Sequence, residues 1–319
     1  MGIVHFASVG RSPGAVTSAL SYLEHHADEV RGSYEGDVVE TVVLFCSHQV
    51  NDGDLPSDEY IWNDYGRPNH RQDWRLPARA QNVIEVVRDF LVREQYLAAP
   101  GYLYAWPVDV NDYASCFEAI AKATLALARA DDTGKYVWAN LTGGTNVLNA
   151  ALMQVASLSG LIGRMYYTFV SREQNRRYLQ PFSDRDSEFA LIWLPIVKTT
   201  FDYGYYRLLE LLEDGQWHMG QTLLSLLKQD ADPAVQGIFS RMPFDLFKNQ
   251  YLNRMQEDVF EEQRHIPGEI DRPVRINDGG RRLLEYLHAN ELTEAIVKRG
   301  QAHSDLVQAC RQELAEYRC

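Results

Sequence analysis

The segment "NLTGGTN" at residues 140–146 places two glycines and two threonines between an apolar run and an apolar helical stretch. Gly143 and Gly144 lack a Cβ atom, so their backbone N–H groups can approach a ligand closely and φ can be positive. Thr145 can cap the following helix, whose N-terminus attracts an anion, and Thr142 adds a second hydroxyl. This pattern favours binding of a phosphate group or a sugar edge.

A second loop of the same kind, "VGRSPG", connects the first apolar run to the first helical stretch. Gly10 permits a tight turn, and Ser12 followed by Pro13 is a typical helix start. We expect the side chains of Ser8, Arg11 and Ser12 to point into the same crevice as the first loop.

Positive charge follows a later apolar run, in the segment "VSREQNRR". We expect Arg172, together with Ser171, Arg176 and Arg177, to reach the same edge. A structural reading stays open for each of the three segments. The first can be a packing turn, the second a well-capped helix, and the third a solvated hairpin.

Apolar runs alternate with helical stretches through the first two hundred residues. The runs lie at 3–10, 40–47, 102–110, 136–142 and 163–171, and helices are predicted at 14–26, at 78–95 and after residues 112 and 145. Near-continuous apolar strands separated by helices indicate a parallel sheet covered on both faces. The predicted fold class is therefore α/β, a Rossmann-like, mainly parallel sheet, with "RYLQPF" and "EFALIWLPIVKTT" as an antiparallel pair at its edge. In such sheets ligands bind beyond the carboxyl ends of the strands.

The pattern changes after residue 200, which divides the chain into expected domains at 1–200 and 201–319. Three amphipathic helices, the third predicted at 245–265, precede a short extended run, "PVRI". A turn at 277–280 and another helix follow. This order is that of a winged-helix module, a smaller and mostly helical domain, here with one further C-terminal helix.

A long polar segment at residues 48–77 interrupts the alternation. It interleaves aromatic residues with arginines, and both side-chain types can stack on nucleic-acid bases. Segments of this length are functional or disordered, so a surface insertion is the alternative reading.

Composition excludes several classes of function. The 31 Lys and Arg against 44 Asp and Glu give a net charge of −13, which disfavours non-specific binding to nucleic acid. The sequence has no apolar stretch of about 18 residues, the length needed to span a membrane. No basic segment precedes the first apolar run, which is therefore expected to be a strand and not a signal peptide. Four scattered cysteines and the absence of metal or cofactor motifs predict a cytoplasmic protein with neither metal nor cofactor.

The two glycine loops together resemble those of CRISPR-associated Rossmann-fold (CARF) domains. "NLTGGTN" is similar to the Asp/Asn-x-Thr-Gly-Gly-Thr-Lys motif, and "VGRSPGAVTSALSYL" to a Gly-x-Ser/Thr-Pro turn that enters a Val-Thr-containing helix. The resemblance covers about residues 1 to 200. CARF domains followed by a winged helix are known in regulators and in ring nucleases.

The resemblance implies a homodimer whose joined clefts bind a cyclic oligoadenylate, of four or six adenylates, made by type III CRISPR complexes. Some such dimers cleave the ring without metal by placing a ribose 2′-hydroxyl in line with the next phosphate. The residues expected to bind the ligand are Ser8, Gly10, Arg11, Ser12, Thr142, Gly143, Gly144, Thr145, Asn146 and Arg172. Catalysis would fall to Arg11, Ser12 and Asn146. The family often carries lysine where this chain has Asn146, a departure that affects cleavage more than binding.

Three alternatives remain. The winged helix can bind DNA in a ligand-controlled transcription regulator, although residues 201–319 carry 14 Lys and Arg against 20 Asp and Glu. Arg281 or Arg282 with His288 resembles the Arg-x(4–6)-His motif of HEPN ribonucleases. A generic nucleotide-binding Rossmann protein is the last alternative.

Overall fold

The computed structural model describes residues 2–25, 39–56, 60–61, 82–93, 95–97, 101–127, 137–170, 178–179, 189–196, 203–253, 259–262, 271–288, 290–298, 300 and 303–319. The chain divides into two compact units. The first unit comprises Met1–Val197 together with His303–Cys319, and the second comprises Lys198–Ala302. No helix among the described residues is long and apolar enough to cross a bilayer.

The first unit alternates strands with helices, as the apolar runs predict. Its elements are β1 (Ile3–Ser8), α1 (Gly14–His25), β2 (Val39–Ser47), α2 (His48–Asn51), β3 (Tyr60–Ile61), α3 (Val83–Arg93), β4 (Tyr102–Val108), α4 (Tyr113–Leu127), β5 (Val137–Asn140), α5 (Asn146–Ser159), β6 (Ile162–Val170), β7 (Tyr178–Leu179) and β8 (Phe189–Leu194), and α12 (Ser304–Glu316) follows the second unit.

Six strands form one sheet in the order β4-β2-β1-β5-β6-β8. The first five are parallel to their neighbours, and β8 runs antiparallel to β6. The predicted α/β class with a Rossmann-like, mainly parallel sheet is confirmed. The expected antiparallel edge pair is wrong in its pairing, because β8 joins β6 while β7 pairs in parallel with β3.

Apolar residues cover the sheet on both faces. One core cluster joins α1 and α3 to β1, β2 and β4, with Val16, Val87 and Leu44 among its fully buried members. Phe6 and Phe45, which alternate with that set along their strands, are equally buried. Helix α4 packs against α5 and α12, which form a second helical layer. Burial on both faces explains why the strands are nearly continuous apolar runs.

Residues 303–319 belong to the first unit. The boundary expected from the sequence had assigned them to the second domain, 201–319. The N–H of Ala105 donates to the Tyr317 carbonyl at 2.9 Å, and the Cys319 N–H donates to the Leu103 carbonyl at 2.9 Å. These bonds extend the sheet beyond β4. The pairing joins residues more than 200 positions apart, which local sequence patterns do not report.

The second unit is mostly helical, with one small sheet. Its elements are α6 (Tyr203–Leu211), β9 (His218–Met219), α7 (Gly220–Lys228), α8 (Pro233–Phe239), α9 (Phe244–Phe247) continued by a π-helical turn (Lys248–Leu252), β10 (Phe260–Glu262), β11 (Pro273–Ile276), α10 (Asp278–His288) and α11 (Glu291–Val297). The three strands are ordered β10-β11-β9, and both pairs are antiparallel.

Two sequence expectations for this unit are wrong in detail. The helix predicted at 245–265 ends with the π-helical turn at Leu252. Phe260, which the prediction placed in this helix, is buried in β10 and pairs with Ile276. The predicted turn at 277–280 is already the start of α10. The Asn277 side chain accepts a hydrogen bond from the Gly280 N–H at 3.0 Å and so satisfies a donor of the first helical turn.

Candidate ligand crevice

The two glycine loops lie side by side at the topological switch point of the sheet. Strands β1 and β5 are parallel neighbours, with Ala7 opposite Asn140. From β1 the chain continues to β2 on one side, and from β5 it continues to β6 on the other. Crevices form where neighbouring connections diverge in this way, and ligands of open α/β sheets bind there.

Side-chain hydrogen bonds hold the loop after β5 in place. The buried Asn140 donates from Nδ2 to the Ala15 carbonyl of α1 at 2.8 Å and accepts from the Thr142 N–H at 2.9 Å. The Thr142 hydroxyl lies 2.7 Å from the Thr168 hydroxyl and accepts from the Thr168 N–H at 2.8 Å. The Thr142 hydroxyl is therefore engaged by β6.

The sequence predicted that Ser8 points into the crevice. Its side chain is instead fully buried. Its hydroxyl is directed at two oxygens, each 2.6 Å away: the Gly143 carbonyl and Oδ1 of Asn149. Asn149 in turn donates from Nδ2 to the carbonyls of Leu141 at 3.0 Å and Gly143 at 3.1 Å. Ser8 thus fixes the glycine loop from below.

Both glycines of this loop are required by close packing against Ser8. A Cβ atom on Gly143 would lie 2.4 Å from the Ser8 carbonyl oxygen, and one on Gly144 would lie 2.5 Å from the Ser8 Cβ. Gly144 also has a φ of +70°, a conformation that residues with a side chain rarely adopt. The glycines therefore allow the two loops to touch.

Thr145 caps α5 and links it to a third loop. Its hydroxyl accepts from the Leu148 N–H at 3.3 Å and donates to the Val110 carbonyl at 3.2 Å. Val110 lies in the turn between β4 and α4, where Asp109 and Asn111 are exposed. The sequence predicted a helix after residue 112 but did not indicate the contact of this turn with the glycine loop.

Several backbone donors of the glycine loop are unpaired among the described residues. Among the described residues, none accepts a hydrogen bond from the N–H groups of residues 143–147. Gly144 and Asn146 are exposed, and Thr145 is half-buried. Successive unpaired N–H groups that lead into a helix N-terminus suit an anion such as phosphate.

The loop after β1 is more open than its neighbour. A Cβ atom on Gly10 would meet nothing within 4 Å. Arg11 is exposed and donates from Nε to the Pro56 carbonyl at 3.1 Å. Ser12 is half-buried, and its carbonyl accepts from the Ala15 N–H at 3.2 Å as α1 begins. The loop after β1 thus carries an exposed cation, Arg11, at the same edge of the sheet as the glycine loop after β5.

Arg172 and the other residues of "SREQNRR" lie outside the described residues, as does most of the 48–77 segment. The described part of that segment includes α2 and residues 52–56, which bring the Pro56 carbonyl to Arg11. Among the described residues, no group of three or more His, Cys, Asp or Glu side chains could hold a metal ion.

His5, on β1, has no role in acid–base chemistry at neutral pH. Its Nε2 is hydrogen-bonded to the Tyr166 hydroxyl, and burial lowers the pKa of His5 to about 3. The same burial raises the pKa of the Tyr166 hydroxyl. Both side chains are therefore neutral at physiological pH and serve the core of the sheet.

In the second unit, the arginines of the β10–β11 hairpin are paired with acidic residues. Arg272 meets Glu262 at 3.0 Å, and Arg275 meets Glu261 at 2.6 Å while lying 4.6 Å from the centre of the Trp217 ring. These contacts leave little net positive charge on the hairpin strands.

Arg281 and His288, considered above as a ribonuclease motif, both lie on α10 but make different contacts. The Arg281 guanidinium is beside Gly215, where it would be 2.7 Å from an added Cβ. His288 is 3.7 Å from the Glu210 carboxylate. Arg282 donates from Nε to the Asp278 carbonyl at 3.3 Å.

The chain is similar to known proteins at low sequence identity. No protein-family model matches the chain. An uncharacterized protein of Archaeoglobus fulgidus is 26% identical over 190 residues, and the chain spans only 57% of that protein while 53% of the chain is covered. The solved structure of Enterococcus italicus Csm6 bound to cyclic hexa-2′-fluoro-hexa-dAMP is similar at 14% identity and a TM-score of 0.39, covering 75% of this chain and 52% of that chain.

Proposed function

We propose that the crevice between the two glycine loops binds a cyclic oligoadenylate, the second messenger of type III CRISPR antiviral signalling. The observation that carries the proposal is the row of unpaired N–H groups at residues 143–147, at a switch point of the sheet. The neighbouring loop adds the exposed Arg11. Backbone donors and one cation suit a phosphodiester in a protein that is acidic overall. The two CARF-like motifs supply the ligand class.

The proposed binding unit is a homodimer. A cyclic oligoadenylate has rotational symmetry, and a two-fold axis lets each chain present its loops once to half of the ring. Sedimentation of the purified protein tests this, since a monomer at micromolar concentration with bound ring would contradict it.

The proposed reaction is cleavage of the ring without metal. A ribose 2′-hydroxyl attacks the adjacent phosphorus, the bond to the 5′-oxygen breaks, and a 2′,3′-cyclic phosphate and a 5′-hydroxyl are formed. Orientation and charge stabilisation supply the rate in such a reaction. Arg11 offers the charge, while Ser12 and Asn146 offer hydrogen bonds. The exposed Asn146 carries no charge at the position where the family often has lysine.

The decisive experiment incubates the purified protein with radiolabelled cyclic tetra- and hexa-adenylate, without metal. Binding of at least one ring is expected, and binding of neither would overturn the proposal. A bound ring that stays intact through long incubation would remove the cleavage step alone. Arg11→Ala is expected to weaken binding at least tenfold. Arg88→Ala, an exposed arginine on α3, is the matched control and should not change the affinity.

Asn146→Lys tests the cleavage step separately from binding. If the missing charge limits cleavage, the lysine variant should open the ring faster than the wild type at saturating ligand. An equal or lower single-turnover rate would show that this position does not limit the reaction.

A ligand-controlled transcription regulator is the second candidate function. The element order of the second unit and its strand order β10-β11-β9 support this candidate, because a winged helix has the same order. The paired arginines of the hairpin count against contact with the phosphate backbone. A gel shift with the DNA upstream of its own gene, with and without ring, decides this, and failure to bind at low salt ends the regulator hypothesis.

A further inference from the structure

Asn149 lies on the first turn of α5, behind the glycine loop and just after the "NLTGGTN" motif. Its side chain is half-buried and makes three contacts with the loop and its neighbour. Nδ2 donates to the carbonyls of Leu141 and Gly143, at 3.0 and 3.1 Å, and Oδ1 is 2.6 Å from the Ser8 hydroxyl. A single amide thus holds two carbonyls of the loop and one side chain of β1.

The direction in which the Gly143 carbonyl is held determines where the next N–H points. A trans peptide is planar, so the Gly144 N–H points opposite to the Gly143 carbonyl. That carbonyl is directed at Ser8 and Asn149, both beneath the loop, and the Gly144 N–H is therefore directed away from them. Gly144 is the exposed residue of the turn, which places this N–H on the solvent side.

Other peptides of the loop have further contacts besides those of Asn149. The Thr142 N–H is also held by Asn140, and the Thr145 side chain holds the start of α5. The Gly143 carbonyl is held by Asn149 and Ser8 alone among the described residues. Because two glycines flank this peptide bond, it has an unusually low barrier to turning over when those contacts are lost.

We propose that Asn149 is a positioning residue for the anion-binding loop. Through the Gly143 carbonyl it orients the Gly144 N–H toward the ligand, without touching the ligand itself. This inference rests on the proposed function for its effect on affinity. Its effect on the loop does not depend on any ligand.

The sharpest variant is Asn149→Asp, which keeps the shape and the acceptor for Ser8. It replaces the Nδ2 donor by a carboxylate oxygen that faces two carbonyl oxygens. Asn149→Ala removes the contacts without adding repulsion. Val155→Ala, a fully buried position on the same helix, is the control for loss of stability alone.

Affinity for cyclic hexa- and tetra-adenylate is then measured from pH 8 to pH 5, with each protein fully folded. We expect the Asp variant to bind at least tenfold more weakly than wild type at pH 8 and to recover on acidification, because a protonated carboxyl can donate again. The Ala variant should lose less affinity and show no such recovery. The Val155→Ala control should bind as wild type does. The inference would be overturned if both Asn149 variants bound the ring with an affinity within twofold of the wild type.

A second measurement separates this inference from the proposed function. The Thr142 and Leu148 N–H groups donate hydrogen bonds to the side chains of Asn140 and Thr145. Their rates of hydrogen exchange therefore report how ordered the loop is without ligand. Faster exchange in Asn149→Asp but not in Val155→Ala supports the inference even if no ring binds to the wild type. Equal exchange in the two variants contradicts it, whatever the ligand assay shows.

Discussion

The loop after β5 and the loop after β1 lie side by side at one edge of the sheet but differ in how they are held. In the first, the side chains of Thr142 and Thr145 are bound to other parts of the protein, and both glycines touch Ser8. In the second, Gly10 has open space around it and Arg11 is exposed. The first loop presents backbone donors in a fixed arrangement, whereas the second presents a long, charged side chain.

The difference teaches that a glycine-rich motif can serve packing and binding together. The glycines after β5 are required because Ser8 lies against them, and their close packing is what fixes the donors that a ligand would use. An ordered donor set costs no reorganisation when an anion binds. The loop after β1 has no comparable steric demand. Replacing Gly10 therefore changes only the flexibility of the backbone.

Gly144→Ala is expected to show the largest effect on the first loop. Its Cβ would lie 2.5 Å from the Ser8 Cβ at a φ of +70°. Strain and overpacking together should lower the free energy of unfolding by about 2–4 kcal/mol. Urea denaturation measures the loss. A change below about 0.5 kcal/mol would show that the two loops do not pack as tightly as described.

Acid is expected to weaken the strand from which the second loop starts. The pKa of His5 is about 3 in the folded protein and 6.5 when unfolded, so the unfolded state takes up the proton first as pH falls. Stability from this group is complete above pH 6.5 and is lost progressively down to about pH 3. Between neutral pH and pH 5 the loss is about 2 kcal/mol.

Urea denaturation at pH 7 and pH 5 measures this loss, with His5→Gln as the comparison. The variant lacks the buried imidazole, so its stability should change less over the same interval. Equal changes in both proteins would mean that His5 is protonated at an ordinary pKa.

Ser8→Ala should have a smaller effect on stability than Gly144→Ala, and it separates bracing from steric fit. It removes the hydroxyl contacts to Gly143 and Asn149 and should cost about 1–3 kcal/mol. Thermal unfolding and ring affinity are measured together. Ser8→Thr, which restores a hydroxyl but adds a methyl group, is the companion variant. An unchanged melting temperature in Ser8→Ala would show that the Ser8 hydroxyl does not hold the first loop.

Gly10→Ala is expected to have the smallest effect. The added Cβ meets nothing within 4 Å, so the free energy of unfolding should change by less than about 0.5 kcal/mol. Chemical denaturation beside Gly144→Ala gives the direct contrast between the loops. A loss as large as that of Gly144→Ala would show that the two loops are packed equally tightly.

Much of the first unit could be predicted from sequence because its signals are local. The apolar runs identified the strands of the main sheet, and the glycine loops lie at the predicted strand ends. Edge pairing was less accessible. Strands β3 and β7 have two residues each, and a two-residue strand carries no periodicity by which to recognise its partner.

The site was predictable in composition but not in the orientation of each side chain. Ser8 precedes a loop of small polar residues and by pattern belongs with them, yet it is fully buried. Its orientation follows from contact with Gly143 and Gly144, more than 130 positions away. Asn149 was missed because it follows the motif, and only the folded loop shows what it holds.

Because residues 303–319 complete the first unit, this unit cannot finish folding until the end of the chain has been synthesised. Strand β4 leaves the ribosome early, but the residues that cover its outer edge are made about 200 residues later. At 5–20 residues per second, that edge stays open for about 10–40 s. An open strand edge invites pairing with other chains during this interval. Slow translation between β4 and α12 should therefore favour aggregation of newly made protein, and fast translation or chaperone capture should reduce it.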